Sequence, residues 1–307
     1  MDRFPDGHHV RLRSLLLGTY LHAADDGIGV RLDPDQASVN AAWTVHRYQG
    51  EDYAIGHLLL HSAAFGRYLA ATDSWAPFGQ RGSRLELREF DEPEVGEIMW
   101  EARPRKRNNA VLLRHVSDRL LRANGGRLFN WNSGVTVDKI ENLSAMNRWV
   151  VEPIPPLQAY PGVPNPIAEP LSSRKFMCLP LEREPPPVRV IRFQRANADG
   201  TFNEDGWTEF QFRGNSSYLL RLELLVRLDI VDFIMCVRAG RYGRLTPMLA
   251  NLPSGTGDTL DIVAIHSLSP GADELRYPDM DTAPDMDAAP DIDTEPDVDA
   301  ETDVDAA

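Results

Sequence analysis

The sequence predicts a mainly β chain with two folded parts, a three-fold β-barrel and a smaller α+β domain, followed by a disordered acidic tail. Three observations predict it. One stretch of strand and turn recurs three times in the first half of the chain; a proline-dense run follows; and the next stretch reads strand, strand, helix, strand, strand, strand.

The recurring stretch is Gly18-Thr19-Tyr20-Leu21-His22-Ala23. It returns as Gly66-Arg67-Tyr68-Leu69-Ala70-Ala71 and, with leucine in the tyrosine place, as Arg119-Leu120-Leu121-Arg122-Ala123. Each copy follows a short strand-like segment, Val10–Ser14, Leu58–Ser62 or Val111–His115, and precedes a tryptophan, Trp43, Trp100 or Trp149, at spacings of 57 and 49 residues. Alternation along a strand sends successive side chains to opposite faces, so each unit carries an apolar face that it cannot cover alone. Three units about a pseudo-threefold axis close into a barrel without free edges, the β-trefoil, over residues 1–154. The Tyr/Leu and Trp positions are expected to fill layers of its core. Gly18 and Gly66 suit tight turns with positive φ.

Eleven of the 35 residues from Pro153 to Pro187 are proline. Proline fixes φ and has no N–H, so residues 155–187 read as an extended linker, with Phe176-Met177-Cys178-Leu179 an apolar island expected to pack onto a domain. In residues 188–268, Val188–Phe193 and Trp207–Phe212 read as strands around the turn Asn197–Gly200. Ser216 or Ser217 offers an N-cap for a helix over Tyr218–Leu228, with Leu219, Leu222, Leu225 and Val226 on one face. Ile234–Val237, Arg244–Met248 and Leu260–Ile265 complete the order ββαβββ of a β-grasp, or ubiquitin-like, domain. The remainder, 269–307, ends in a degenerate six-residue Pro-Asp repeat with nothing to bury, which predicts disorder.

The net charge of −14 belongs almost wholly to that tail: residues 273–307 hold 14 acids against one arginine, and the rest is near neutral. No run approaches the ~20 apolar residues of a membrane helix, and no signal peptide is legible. Two cysteines, Cys178 and Cys236, make no disulfide framework, which points to a reducing compartment, cytoplasm first and nucleus second.

The three-repeat block, through Asp6-Gly7-His8-His9-Val10-Arg11-Leu12-Arg13-Ser14, the Gly18–Ala23 stretch, Asn40-Ala41-Ala42-Trp43 and Trp149-Val150-Val151-Glu152-Pro153, resembles a plant domain-of-unknown-function family. Its members are often labelled actin cross-linking because their β-trefoil is similar to those of fascin. Cys236-Val237-Arg238-Ala239-Gly240-Arg241-Tyr242-Gly243-Arg244-Leu245-Thr246-Pro247 resembles the ubiquitin-like domain that accompanies that family. The resemblance implies the two folds and a plant origin; it implies no catalytic residues. Fascin carries four trefoils and this chain one, so bridging two filaments needs a second binding surface or a dimer.

Candidate chemistry is sparse. His57 and His61 lie four apart on a strand, where they span about 13 Å, too far for one metal ion. No nucleophile elbow, phosphate-cradling loop or dinucleotide fingerprint occurs, so we expect neither enzyme activity nor a cofactor. The densest basic run, Arg103-Pro104-Arg105-Lys106-Arg107, is the candidate surface for an acidic protein such as filamentous actin; it lacks the interleaved aromatics expected for nucleic acid. Trp131, between Asn130 and Asn132, and Trp75 are the candidate ligand-binding aromatics. They make a carbohydrate-binding module the alternative to a protein-interaction scaffold.

Overall fold

The computed structural model describes residues 3–48, 56–91, 95–105, 109–125, 134–166, 188–254 and 258–282. Each repeat supplies four strands. The first has β1 (His9–Ser14), β2 (Tyr20–Ala23), β3 (Val30–Asp33) and β4 (Trp43–Arg47); the second has β5 (His57–Ser62), β6 (Tyr68–Trp75), β7 (Ser83–Arg88) and β8 (Trp100–Pro104). The third has β9 (Val111–His115), β10 (Arg119–Ala123), β11 (Val135–Lys139) and β12 (Trp149–Ile154). Strands β1, β4, β5, β8, β9 and β12 pair antiparallel in a closed ring, and the β2–β3, β6–β7 and β10–β11 hairpins form the cap of a β-trefoil.

The repeat exists because each unit makes the same bond to its own hairpin. The indole N–H of Trp43 donates to the Leu21 carbonyl at 2.9 Å, that of Trp100 to Leu69 at 2.9 Å, and that of Trp149 to Leu121 at 3.2 Å. All three tryptophans are fully buried and share one core with Leu21, Leu69 and Leu121. The core layer therefore uses the leucine that follows the tyrosine place. Tyr20, Tyr68 and Leu120 themselves face outward and are buried outside that core, a correction that follows from the period-two alternation of a strand. Gly18 and Gly66 take positive φ as expected, and Asp118 takes the same conformation in the third copy.

The stretch expected to be wholly linker folds in its first part. Strand β13 (Pro156–Leu157) and Tyr160, whose hydroxyl donates to the Met248 carbonyl at 3.1 Å, lie against the second domain. Phe176–Leu179 falls outside the described residues. The second domain has β14 (Val188–Arg195), β15 (Thr208–Arg213), α1 (Ser217–Leu228), β16 (Phe233–Arg238), β17 (Thr246–Pro247) and β18 (Leu260–His266). The sheet order β15-β14-β18-β16-β17, with β14 and β18 parallel at its centre, is that of a β-grasp.

Ser216 caps α1, its hydroxyl accepting from the Leu219 N–H. The buried face is Leu220 and Leu224, with Leu225 and Leu228 beside them, while Leu219, Leu222 and Val226 are exposed. The expected face is thus corrected by a rotation of the helix. Two stripes at helical spacing share these twelve residues, and spacing alone does not say which one meets the sheet.

The expected disorder from residue 269 is corrected too. Pro270 starts the short helix α2 (Pro270–Asp273), and strand β19 (Tyr277–Pro278) pairs with β13. Tyr277 is buried against Tyr160, and Arg11 on the barrel donates to the carbonyls of Met280 and Thr282. Apolar Leu275, Tyr277 and Met280 give this stretch something to bury before the acidic repeat dominates. Residues 283–307 lie outside the described residues.

Truncating Trp149 to alanine should remove both a core layer and the anchor of the third hairpin. The expected loss is about 3–5 kcal/mol of unfolding free energy, measured by urea denaturation.

Candidate functional site at the domain interface

The two domains are joined by backbone hydrogen bonds, which side-chain packing then surrounds. The Phe90 N–H donates to the Ala239 carbonyl at 3.0 Å, and the Tyr242 N–H donates to the Phe90 carbonyl at 2.7 Å. Gly240 between them takes φ +88, and a Cβ there would stand 2.5 Å from the Phe90 nitrogen, so the turn Gly240–Gly243 approaches the trefoil only because Gly240 has no side chain. Arg67, the residue after the second repeat glycine, is buried and donates to the Gly27 carbonyl at 2.9 Å, to Glu89 at 3.0 Å and to Asp258 at 3.1 Å. It ties two trefoil repeats to the β-grasp domain.

Two concavities lie along the docked surface of the described residues, beside a small apolar one near Ala64 and Met248. The larger, about 730 Å³, is lined by Arg67, Glu89 and Asp91 of the trefoil and by Arg192, Trp207, Arg238 and Asp261 of the β-grasp domain, among others. Its charges are mostly answered: Arg192 with Asp261 at 2.7 Å, Arg238 with Glu204 at 2.5 Å, and Arg67 with Glu89. Arg192 also lies over the Trp207 ring at 5.3 Å.

The smaller, about 290 Å³, is built on imidazoles. His9 on β1, Thr44 on β4 and His61 on β5 are partners in register across three adjacent strands, so their side chains share the outer face of the barrel; His46, two residues beyond Thr44, shares it as well. Strand β17 and residues 274–276 cover this face. His61 meets the Thr246 hydroxyl at 3.0 Å, and Tyr68 accepts from the Arg244 N–H at 3.3 Å. The Tyr68 hydroxyl also lies within hydrogen-bond distance of His46 Nδ1, 3.1 Å away. Burial holds His9 at about 4 and His61 at about 3, and drives His46 down as well; Arg276 near His9, and Arg244 near the other two, push the same way. Burial also raises the Tyr68 hydroxyl to about 12.

Of the residues singled out by sequence, Trp75 ends β6 beyond a register irregularity and is 84% exposed. Phe78, in the turn Pro77-Phe78-Gly79, is fully exposed beside it and was missed, although an aromatic in a Pro/Gly turn is itself a legible signal. Asn130, Trp131 and Asn132 lie outside the described residues. Gly134, just before β11, sits against the Gln80 side chain, so the second and third hairpins meet at one end of the cap. Arg103 is on β8 and pairs with Glu101 at 3.0 Å, while Arg105 is exposed in the turn that follows; Lys106 and Arg107 lie outside the described residues. The structure does not bring the basic run and Trp75 together. The β8–β9 turn is at the end of the barrel where β5 begins, and the cap is where β5 ends.

Cys236 is a fully buried core residue whose thiol burial pushes up, which agrees with its reading as a small hydrophobe. His57 and His61 share β5 as expected, and among the described residues no three His, Cys, Asp or Glu side chains are grouped to hold a metal ion.

Residues 1–152 match the family model of the β-trefoil domain of unknown function DUF569, and residues 187–265 match that of the DUF569-associated ubiquitin-like domain. The chain belongs to this family. Solved structures similar to this DUF569 protein include an SDF2-like protein from Arabidopsis thaliana, at 17% identity over 48% of this chain and 92% of that one, with a TM-score of 0.39. A ricin B-like lectin from Macrolepiota procera in complex with lactose matches at 19% identity over 48% and 96%, with a TM-score of 0.38. A designed three-fold symmetric protein, ThreeFoil, matches at 14% over 47% and 96%, with a TM-score of 0.36. No curated protein matches the chain.

The buried imidazoles make the docked structure acid-sensitive. Their folded values lie below the unfolded 6.5, so below pH 6.5 the unfolded chain binds protons that the folded chain refuses. Stability falls as pH drops from 6.5 toward about 4 for His9 and about 3 for His61. The slope is up to about 1.4 kcal/mol per pH unit for each such group. Thermal melts between pH 7 and pH 4.5 should show this loss, and His9→Gln should flatten it.

Proposed function

We propose that this DUF569 protein is a non-enzymatic interaction scaffold whose contact surface is the trefoil hairpin tip carrying Trp75 and Phe78. The exposure of both aromatics carries the reading. Large rings left in water three residues apart at one hairpin tip are the residue type that anchors protein interfaces. The β-grasp domain serves as a fixed buttress, because the Phe90 bonds and the Arg67 contacts hold it to the barrel flank away from that tip. Filamentous actin is the partner to test first. Arg105 offers a second, basic point of contact at the opposite end of the barrel, and two contact points on one chain meet the requirement for bridging filaments. In this reading Arg103 contributes less than Arg105, since Glu101 already answers its charge.

Carbohydrate binding is the second reading, favoured by the exposed Trp75 indole with the polar side chains of Asp73 and Gln80 on the same hairpin. A neutral sugar stacked on an indole is insensitive to salt, whereas a charge-steered protein contact weakens as salt screens it.

Co-sedimentation with filamentous actin at two ionic strengths separates the two readings. The native chain should pellet with filaments, and a Trp75→Ala/Phe78→Ala variant should lose at least about tenfold in affinity, as expected on truncating a hot spot. Charge reversal at Arg105 should abolish low-speed bundling while leaving single-filament pelleting in place. Pelleting that the aromatic variant leaves unchanged would overturn the hairpin assignment. A glycan that binds through Trp75 with no salt dependence would favour the second reading.

A further inference from the structure

We propose that the imidazole-lined cavity between the domains binds a small oxyanion of the phosphate or sulfate class. The cavity, about 290 Å³, has a floor of hydrogen-bond donors and a rim of arginines. His9 is nine-tenths buried and lines it, and no hydrogen bond reaches its ring from any described residue. Its ring nitrogens are not sealed from solvent, and the ring lines the cavity, where a ligand can meet it. His46 lines the cavity as well: its Nδ1 lies 3.1 Å from the Tyr68 hydroxyl, and no described residue bonds its Nε2. His61, by contrast, is occupied with Thr246 and is a wall of the site.

Thr44 adds a hydroxyl in register with His9. Arg244 and Arg276 stand at the mouth, and Arg276 rests over Gly7, where a Cβ would come within 3.9 Å of its Nε. Guanidinium and imidazole N–H groups converging on a partly enclosed space suit a compact anion with several acceptor oxygens, since charge-assisted bonds to such groups are the strong ones. The rim carboxylates are Asp6, which accepts from the Arg47 N–H at 2.7 Å and faces Arg244 at 3.5 Å, and Glu274, which is exposed. Both carboxylates line the cavity too.

Proton linkage gives the site a signature. The groups facing His9 and His46 are His8, His61, Tyr68, Arg244, Arg276, Asp6 and Glu274. Burial first, and the nearby arginines after it, hold the imidazoles neutral. A bound dianion favours their protonated form, so binding takes up protons and tightens as pH falls.

Isothermal titration of the full chain with inorganic sulfate, whose charge is constant over the range, and in parallel with inorganic phosphate, tests the proposal at pH 7.5 and pH 5.5. One-to-one binding is expected, with sulfate on the order of tenfold tighter at the lower pH for each proton taken up per pH unit. Ring resonances of His9 and His46 should move on titration, and those of His57 should not. Arg276→Gln, at an exposed residue that leaves the core intact, should weaken binding about tenfold, the effect of removing one charge-assisted bond. Arg105→Gln, at the barrel end, should leave it unchanged. The proposal is overturned if sulfate and phosphate give neither heat nor ring shifts at pH 5.5, which would make this a hydrated cavity only. It is equally overturned if Arg276→Gln and native protein bind alike.

Discussion

The bond from a buried indole N–H to a hairpin carbonyl, made once in each repeat, is the constraint on which this structure rests. A tryptophan in a barrel core must bury its N–H, and an unpaired buried donor costs about 1–3 kcal/mol. The carbonyls of Leu21, Leu69 and Leu121 answer that demand, and in doing so set where each capping hairpin lies on the barrel. The three hairpins then bond to one another through β7–β11 and the Arg31–Gly134 bridge. Cap and barrel are therefore one cooperative body. Hairpin loops can carry unusual residues, such as Trp75 and Phe78, without loosening the frame that presents them.

That frame determines how the second domain docks. The outer face of a β-barrel normally meets water, and polar side chains such as His9, Thr44, His46 and His61 are compatible with that surroundings. Covering them with β17 and residues 274–276 narrows this face to a cavity. His61 and His46 meet Thr246 and Tyr68 there, while the ring of His9 meets the cavity itself. The interface is thus held by backbone bonds at Phe90 and by the Arg67 fan, and is held less well at the histidines. Its strength resides on one side and its sensitivity on the other.

Much of the architecture was legible because it is periodic. Three copies of one stretch, three tryptophans and the order ββαβββ specify a trefoil and a β-grasp, and both are present. What could not be read was pairing between distant segments. The spacing in α1 offered two apolar stripes, and only contact with the sheet selects Leu220 and Leu224 over Leu219 and Leu222. Composition marked residues 269–282 as tail, yet Tyr277 finds Tyr160 across more than a hundred residues and the chain folds back. The imidazole cavity was equally hidden, since His9, His46 and His61 come together only through strand register, and Arg244 and Arg276 come from the other domain. Trp75 was legible as a loop aromatic; its partner Phe78 was available to the same reasoning, three residues on.

The positions of these features bear on what a single trefoil can do. A barrel of this kind has two ends and a flank. Here the flank is committed to the β-grasp domain through Phe90, Arg67 and the histidine row, and this leaves the ends. The cap end carries exposed aromatics, and the other end carries the turn that begins at Arg105. Burying the flank therefore does more than stabilise a small domain. It holds the second domain against the flank, while the barrel itself keeps its two ends at a fixed separation and orientation. A protein that presents two unlike surfaces at a set distance is equipped to organise partners. The one region where that rigidity depends on protonation, and on whatever fills the cavity beside His9, lies within the joint that maintains it.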